Sequence, residues 1–259
     1  MEFFDQLGRT IVMNGTPNKI VCLVPSITEF LVAVGLQENI IGITKFCVHP
    51  PHLKKLTKCI GGTKNVNIEK IKLLEPDLII ANKEENTKED ILNLASCFPV
   101  WMTDVTNFHS AIAMMKGLSQ VLNCVSRCKE LIDEISREFT SLIRLENQKK
   151  ISVLYLIWKK PYMSIGGDTY IHSMLQIAGF ESVTKHLTRY PIIKEIEIPD
   201  FIFLSSEPYP FTEKDIDEVQ KNYPKSKILL VDGEMFSWYG KRMHLFPSYI
   251  RQLNIELVL

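Results

Sequence analysis

From Asn107 to Gln148, apolar residues fall at Phe108, Ile112, Met115, Leu118, Leu122, Val125, Cys128, Ile132, Ile135, Phe139 and Leu142. Every step is three or four, the spacing of one helical face. No proline interrupts the run, and Gly117 is its only glycine. Thr106 or Asn107 is placed to cap the start, and Arg144 to complement the macrodipole near the end. The pattern predicts one long helix, and at ~1.5 Å per residue some 40 residues would span roughly 60 Å, too long for one small α/β lobe. A coiled-coil segment, or two helices with a break, is the plainer alternative. Strand-helix patterns on both sides favour a strut joining two lobes.

Before that stretch, short β-branched apolar runs alternate with amphipathic ones. Phe3 to Gln6 and Thr10 to Met13 read as a small hairpin, and Asn14 to Pro17 as a turn. Lys19 to Val24 reads as a buried strand ended by Pro25. Ser26-Ile27-Thr28-Glu29 has capping-box spacing, predicting a helix to Val34 stopped by Gly35. Strands follow at Ile40–Thr44, Leu78–Ala81 and Pro99–Thr103. Helices fall between them, Ile68–Leu74 capped by Asn67 and another opened by Thr87. After the long stretch the pattern restarts. Strands are predicted at Ile151–Ile157, Phe201–Ser205 and Ile228–Asp232, with helices at Thr169–Ala178, from Thr212 to about Asn222, and from about Pro247 to Leu253.

The halves echo each other. Glu75-Pro76-Asp77-Leu78-Ile79-Ile80 resembles Ile198-Pro199-Asp200-Phe201-Ile202-Phe203, and the segment ending Ala33-Val34-Gly35-Leu36 resembles the one ending Ile177-Ala178-Gly179-Phe180. The fold class predicted is α/β: two lobes, each with a mostly parallel central sheet flanked by helices, joined by one long backbone helix. The N-terminal lobe covers 1–105, the connecting helix 106–148 and the C-terminal lobe 149–259. Ligands of open α/β sheets bind outside the carboxyl ends of the strands, so the loops there form the expected cleft.

Composition narrows the function. Among 259 residues, 30 basic and 30 acidic side chains give zero net charge and no basic block, which argues against nucleic acid as a partner. The most apolar stretch, Ile20 to Leu36, is broken by Pro25, Ser26, Thr28 and Glu29 and does not read as membrane-spanning. The start has no signal-like basic and apolar regions. Six scattered cysteines lack zinc or redox spacing and read as free thiols of a reducing compartment. The sequence as it stands therefore suggests the cytoplasm, or the periplasm if a signal was removed.

No catalytic signature is present: no Gly-x-Ser-x-Gly elbow, no phosphate loop, no His-Glu-x-x-His. Gly166-Gly167-Asp168-Thr169 could hold an anion at a helix start, though a plain loop and cap serves as well. Cys47 and His49, with His52 near, share one post-strand loop. Thiolate and imidazole suit zinc, copper or iron, and Pro50-Pro51 would also make this a merely rigid turn. His49 is the best single candidate for a metal ligand. Trp158, Tyr162, Tyr190, Phe236, Trp238 and Tyr239 sit in predicted loops at strand ends, where rings favour a large, flat, partly apolar ligand or packing between lobes. No cofactor is required, and a monomer is expected.

These residues together resemble the helical-backbone metal receptor family, the ABC-transporter binding proteins for cobalamin, ferric siderophores and haem. The resemblance is carried by Asp5-x-x-Gly8-Arg9-Thr10, Lys19 to Glu29 with Gly35, His49-Pro50-Pro51, Gly61-Gly62-Thr63-Lys64, Asn67-Ile-Glu69, Glu75-Pro76-Asp77, Gly166 to Thr169, Tyr190-Pro191 and Pro199-Asp200. It covers nearly the whole chain and is nearest the cobalamin-binding branch. It implies little hinge closure and a ligand held between the lobes. His49 and Tyr190 match cleft aromatic positions, and Thr63 stands where the cobalamin proteins carry tryptophan. Trp158, Phe236 and Trp238 match cleft loops. Glu69 and Glu195 match two carboxylates that meet arginines of an ABC permease. The leading expectation is a non-enzymatic solute-binding protein for cobalamin or another metal-chelate small molecule. A ferric siderophore or haem receptor would instead use cations such as Lys64, Lys159 and Arg242. A cytosolic cofactor-handling enzyme or chaperone, or a regulatory protein with an unused cleft, is the remaining alternative.

Overall fold

The structure, a computed structural model, describes residues 1–140, 142, 151–194 and 198–258, with side chains up to Leu253. The chain divides into two compact units. The first takes Met1–Val105, His109–Glu134 and Tyr239–Arg242; the second takes Thr106–Phe108, Ile135–Trp238 and Met243–Leu259.

In the first unit the hairpin forms as expected, β1 (Glu2–Phe4) pairing antiparallel with β2 (Thr10–Val12). Asp5 closes it: its carboxylate accepts from the amides of Leu7 and Arg9, both at 2.9 Å, and from Arg9 Nε at 2.8 Å. Next come β3 (Ile20–Cys22), α1 (Pro25–Ala33), β4 (Ile40–Ile43), α2 (Leu53–Leu56), β5 (Lys58–Cys59), α3 (Ile68–Leu74), β6 (Leu78–Asn82), α4 (Lys88–Ala95) and β7 (Val100–Thr103). The sheet is parallel, in the order β5-β4-β3-β6-β7. Its inner strands are buried on both faces, as continuous apolar runs require. On one face Val21, Leu23, Ile79, Val100 and Met102 pack with Ile71 of α3 and Ile91 and Leu94 of α4.

The second unit holds β8 (Ile151–Leu156), α7 (Tyr170–Ile177), β9 (Phe180–Ser182), β10 (Phe201–Ser205), α8 (Glu213–Asn222), β11 (Lys227–Val231), α9 (Gly233–Ser237) and α10 (Phe246–Val258). Its sheet is parallel in the order β11-β10-β8-β9. Leu154, Leu156, Ile202, Leu204 and Ile228 pack with Phe211 and Val219.

The two parallel α/β sheets repeat one topology. Reading β4-β3-β6-β7 against β9-β8-β10-β11 matches every neighbour. The Pro-Asp echo has one structural job in both. The Asp77 carboxylate accepts from the amides of Asn18 and Lys19 at 2.9 Å, at the foot of β3. The Asp200 carboxylate accepts from the amide and hydroxyl of Ser152 at 2.9 and 2.7 Å, at the foot of β8.

The long amphipathic stretch is corrected. It forms two helices, α5 (Phe108–Val121) and α6 (Val125–Thr140). Asn123 turns left-handed at φ 50°, and the amides of Asn123 and Cys124 bond back to the carbonyls of Gln120 and Ser119. That is a Schellman stop, with asparagine in the position glycine usually fills. Helix α6 starts in the first unit and ends in the second. The stretch expected to complete the helix, and Arg144 with it, lies outside the described residues. Also corrected is the capping box at Ser26: Pro25 takes the first helical position and no side chain caps α1. The other caps form, Asn67 on α3, Thr87 on α4 and Thr169 on α7. The boxed Asp215 accepts from the Thr212 amide at 2.8 Å.

Candidate functional site

In the first unit the carboxyl ends of the strands carry an amide and hydroxyl network. Asn82, 3% exposed at the end of β6, donates to Thr103 Oγ1 at 3.1 Å and accepts from the amides of Glu84 and Glu85 at 2.8 and 3.2 Å. Asn86 accepts from the Asn82 amide at 2.8 Å and donates to the Thr63 carbonyl at 2.9 Å. Thr63 is thus fixed through its backbone, half-buried. The Lys64 ammonium donates to the Glu84 carbonyl oxygen. A chain of neutral dipoles of this kind holds a loop rigid without placing net charge at the strand ends.

His49 is half-buried in the loop after β4. Its sequence neighbours are otherwise engaged. Cys47 is fully buried, its Sγ 3.3 Å from the hydroxyls of both Thr28 and Thr44, and burial pushes its thiol pKa up. A thiol held protonated is a poor metal ligand. His52 Nε2 bonds Gln37 Oε1 at 2.7 Å. The Cys-x-His pair is therefore not an assembled metal site. Among the described residues no group of three or more His, Cys, Asp or Glu side chains is placed to hold an ion.

Tyr239 and Arg242 belong to the first unit although their flanking segments belong to the second. Tyr239 is 5% exposed, its hydroxyl 3.3 Å from Glu85 Oε1, and burial raises its pKa. Arg242 makes a two-pronged pair with Glu29, Nε to Oε2 at 3.1 Å and Nη2 to Oε1 at 3.0 Å. Gly240 between them has φ 88°, and a Cβ there would come within 3.0 Å of Phe30 Cβ, so this close approach needs glycine.

In the second unit Trp158 is 40% exposed after β8, its ring edge-on to Tyr209 at 5.8 Å. Lys159 lies between Asp215 Oδ1 at 2.6 Å and Glu218 Oε2 at 2.8 Å. These bonds, that to Asp215 first, raise the lysine's pKa. The hydroxyl of Tyr162 donates to Glu218 at 3.3 Å. Tyr190 is 37% exposed.

The Gly166-Gly167 pair is a backbone crossing, not an anion nest. Its amides donate to the carbonyls of Arg189 and Leu187, and added Cβ atoms would strike Leu187 O and Lys185 O. Phe236 is core. It is fully buried among the rings of Tyr155, Phe203, Phe246 and Tyr249 at 5.3 to 6.3 Å, which leaves no ring surface for a ligand. Trp238, 7% exposed, donates its indole N–H to Glu207 Oε1 at 3.0 Å, and Ser237 Oγ donates to the same oxygen. Burial raises the pKa of Glu207.

Sequence reasoning missed Glu29, Glu85 and Glu207. The available signal for Glu85 and Glu207 is position: each follows the carboxyl end of a strand, β6 or β10. Glu69 on α3 is exposed, with Lys72 at 3.1 Å. Glu195 lies outside the described residues. The six cysteines are free thiols, four of them buried. No helix among the described residues is long and apolar enough to cross a membrane.

Residues 20–225 match the periplasmic binding protein family. A Bacillus subtilis protein described as an uncharacterized ABC transporter substrate-binding lipoprotein, YvrC, is 24% identical over 67% of the chain, and the match spans 57% of that protein's length. The vitamin B12-binding protein of Vibrio campbellii is 23% identical over 74% of the chain and 72% of its own length. The fold matches that of the periplasmic heme-binding protein RhuT from Roseiflexus sp. RS-1 with a TM-score of 0.76, at 19% identity, over 93% of the chain and 97% of that one. With four-fifths of its length inside the family match, the chain belongs to the periplasmic binding protein family.

Proposed function

We propose that this chain is the solute-binding component of an ABC-type importer, binding without turnover, and that its ligand is a corrinoid or a similar metal-centred macrocycle. The observation that carries the importer reading is the family match over residues 20–225. The corrinoid is favoured by the Vibrio campbellii relative, whose name is vitamin B12-binding protein. A haem receptor is the second reading, favoured by the fold match to RhuT; a ferric siderophore is the third.

On this reading Trp158 and Tyr190 give the ligand ring surface, since each is more than a third exposed. Thr63, Tyr162, Trp238 and Tyr239 shape the contact from fixed positions. His49 meets the ligand through its imidazole. Burial of apolar ring area supplies ~25 cal/mol per Å² before ordering costs. Glu69 is the docking carboxylate toward a permease, and the protein works as a monomer outside the cytoplasmic membrane.

Titration of the purified chain with cobalamin, haem and a ferric siderophore, followed in their visible bands, tests the assignment. Saturable binding of cobalamin in preference to the other two is expected, and conversion of any of them would point to an enzyme instead. His49 has its own test. If it coordinates the metal, His49→Ala weakens binding and removes a spectral shift in the bound ligand. If it packs against the ring, His49→Phe binds as the wild type does with an unchanged spectrum.

A further inference from the structure

The chain is neutral overall, but its charge is unevenly placed. From Asn39 to Ile68 there is no acidic residue, while Lys45, Lys54, Lys55, Lys58 and Lys64 fall in that span. In sequence these lysines are too spread out to form a basic block. Folding gathers them along one edge of the first unit, because the span contains β4, α2 and β5, and β5 is the outermost strand of its sheet. Lys54, Lys55 and Lys58 are exposed, and among the described residues none of the three has an ion-pair partner. Lys45 stands over the Phe46 ring, 5.0 Å from ammonium to centroid, and Lys64 donates to the Glu84 carbonyl; neither partner carries a net charge. The acidic residues nearest in sequence flank the span: Glu38 before it, then Glu69 and Glu75, which pair with Lys72 at 3.1 Å and Lys19 at 4.0 Å.

Apolar side chains stand out on the same edge. Leu56, the last residue of α2, is 68% exposed, and Leu73 of α3 is 84% exposed. A groove of about 490 Å³ is lined by Ile40, Ile41, Leu56 and Leu74, with Glu38 and Lys58 also on its walls. Ile40 and Lys58 open β4 and β5, so the groove lies at the amino ends of these strands, away from the carboxyl ends where a solute is expected. Lys70 is exposed and lies one helical turn before Leu73 and Leu74. Lysine on a short edge strand discourages pairing with a second sheet, but that role alone gives no reason for Leu56 and Leu73 to stand in water beside it. Contacts between proteins favour arginine and aromatic rings and deplete lysine, and the cations here are all lysine. Exposed leucines among lysines suit a surface that meets anionic lipid. The leucines enter the acyl boundary while the lysine stems lie along it and their ammonium groups reach headgroup phosphates.

We propose that the β5 edge of the first unit is a membrane-contact face, which adsorbs to a bilayer surface rich in anionic lipid through Lys54, Lys55 and Lys58 and through insertion of Leu56 and Leu73. The inference goes beyond the solute-binding reading and is independent of it, since the face needs no solute. Adsorption at the amino ends of β4 and β5 leaves the carboxyl ends of this sheet uncovered.

The test sediments the whole chain with vesicles of equal parts phosphatidylglycerol and phosphatidylcholine, and with vesicles of phosphatidylcholine alone. Binding to the first and not to the second is expected, weakening as salt rises. Lys54→Gln, Lys55→Gln and Lys58→Gln together should lower the partition on the order of 100-fold, at roughly five-fold per lysine. Leu56→Gln with Leu73→Gln should lower it about ten-fold. All five side chains are exposed, so both variants should melt as the wild type does. The readout is vesicle-bound protein, which a failure of the solute reading would leave unmoved. No binding to the anionic vesicles overturns the proposal, as does equal uptake by both kinds or full binding by the folded lysine variant. Capture of soluble polyglutamate as tightly as vesicles, unchanged in the leucine variant, would mean an acidic protein partner. A dimer in gel filtration that the leucine variant dissociates would mean a second copy of this chain. Either result also overturns the bilayer.

Discussion

The two units share a strand order and a Pro-Asp clamp and differ in how charge is handled above the sheet. In the first, the strand ends are tied by amides and hydroxyls around Asn82, Asn86 and Thr103, and a deeply placed cation, Arg242, is matched by Glu29. In the second, a half-buried lysine faces two carboxylates and a further carboxylate, Glu207, is held by an indole and a hydroxyl. A duplicated frame thus keeps the features that set strand register and varies those that face a ligand. The Pro-Asp aspartates act on backbone at the amino ends of strands, where no ligand is expected. The divergent groups lie at the carboxyl ends, where open α/β sheets place their ligands.

The largest test of this contrast is the matched pair. Glu29→Ala should cost ~3–5 kcal/mol in urea unfolding, because it strands a buried guanidinium, and adding Arg242→Met should recover much of the loss. A loss under ~1 kcal/mol in the single variant would mean the pair is solvated and the first unit no better neutralised than the second. Next come the clamps. Asp77→Ala and Asp200→Ala should each cost ~1.5–3 kcal/mol, the usual worth of hydrogen bonds to a charged group. The second should be the more damaging, since Asp200 also takes the Ser152 hydroxyl. If only one matters, the repeat is one of sequence and not of mechanics.

Asn123→Ala should cost ~1–2 kcal/mol, because alanine must then take the left-handed turn between α5 and α6. Asn123→Gly should be nearly neutral. Equal stability of both variants with wild type would restore the single continuous helix.

The smallest effect expected is the pH dependence of the second unit. Burial holds the Glu207 pKa above its ordinary 4.5, so the folded state binds more protons than the unfolded state between that value and the raised one. Stability contributed by this group therefore falls as pH rises through the window and is recovered on mild acidification. Glu207→Gln should flatten the melting temperature across that window and shift the Trp238 emission, since the indole N–H would then meet a neutral acceptor. A pH profile identical in wild type and variant would remove Glu207 as the source.

Much of the frame is legible in the sequence because it rests on local rules. Six of the predicted strands are β-branched runs, and the caps at Asn67, Thr87, Thr169 and Thr212 need only neighbours three residues away. The short edge strands β5 and β9 escape notice, being two and three residues long. The helix break is hidden because apolar steps of four and three run through it, Leu118 to Leu122 to Val125, and the stop residue is asparagine. The misread box at Ser26 has a distant cause. Glu29 has the spacing to cap a helix, but its carboxylate is engaged by Arg242, 213 residues away. The same holds for the site. His49 and the exposed rings are readable as types in post-strand loops, whereas the burial of Phe236 and the pairing of Lys159 depend on tertiary neighbours that no local pattern announces.

Calorimetric titration of the whole chain with cyanocobalamin at several temperatures tests the central claim most directly. The account predicts one corrinoid bound per chain, with a negative heat-capacity change from burial of apolar ring surface and little dependence on salt. No heat with cyanocobalamin, alongside stoichiometric and salt-sensitive uptake of haem under the same conditions, would contradict it.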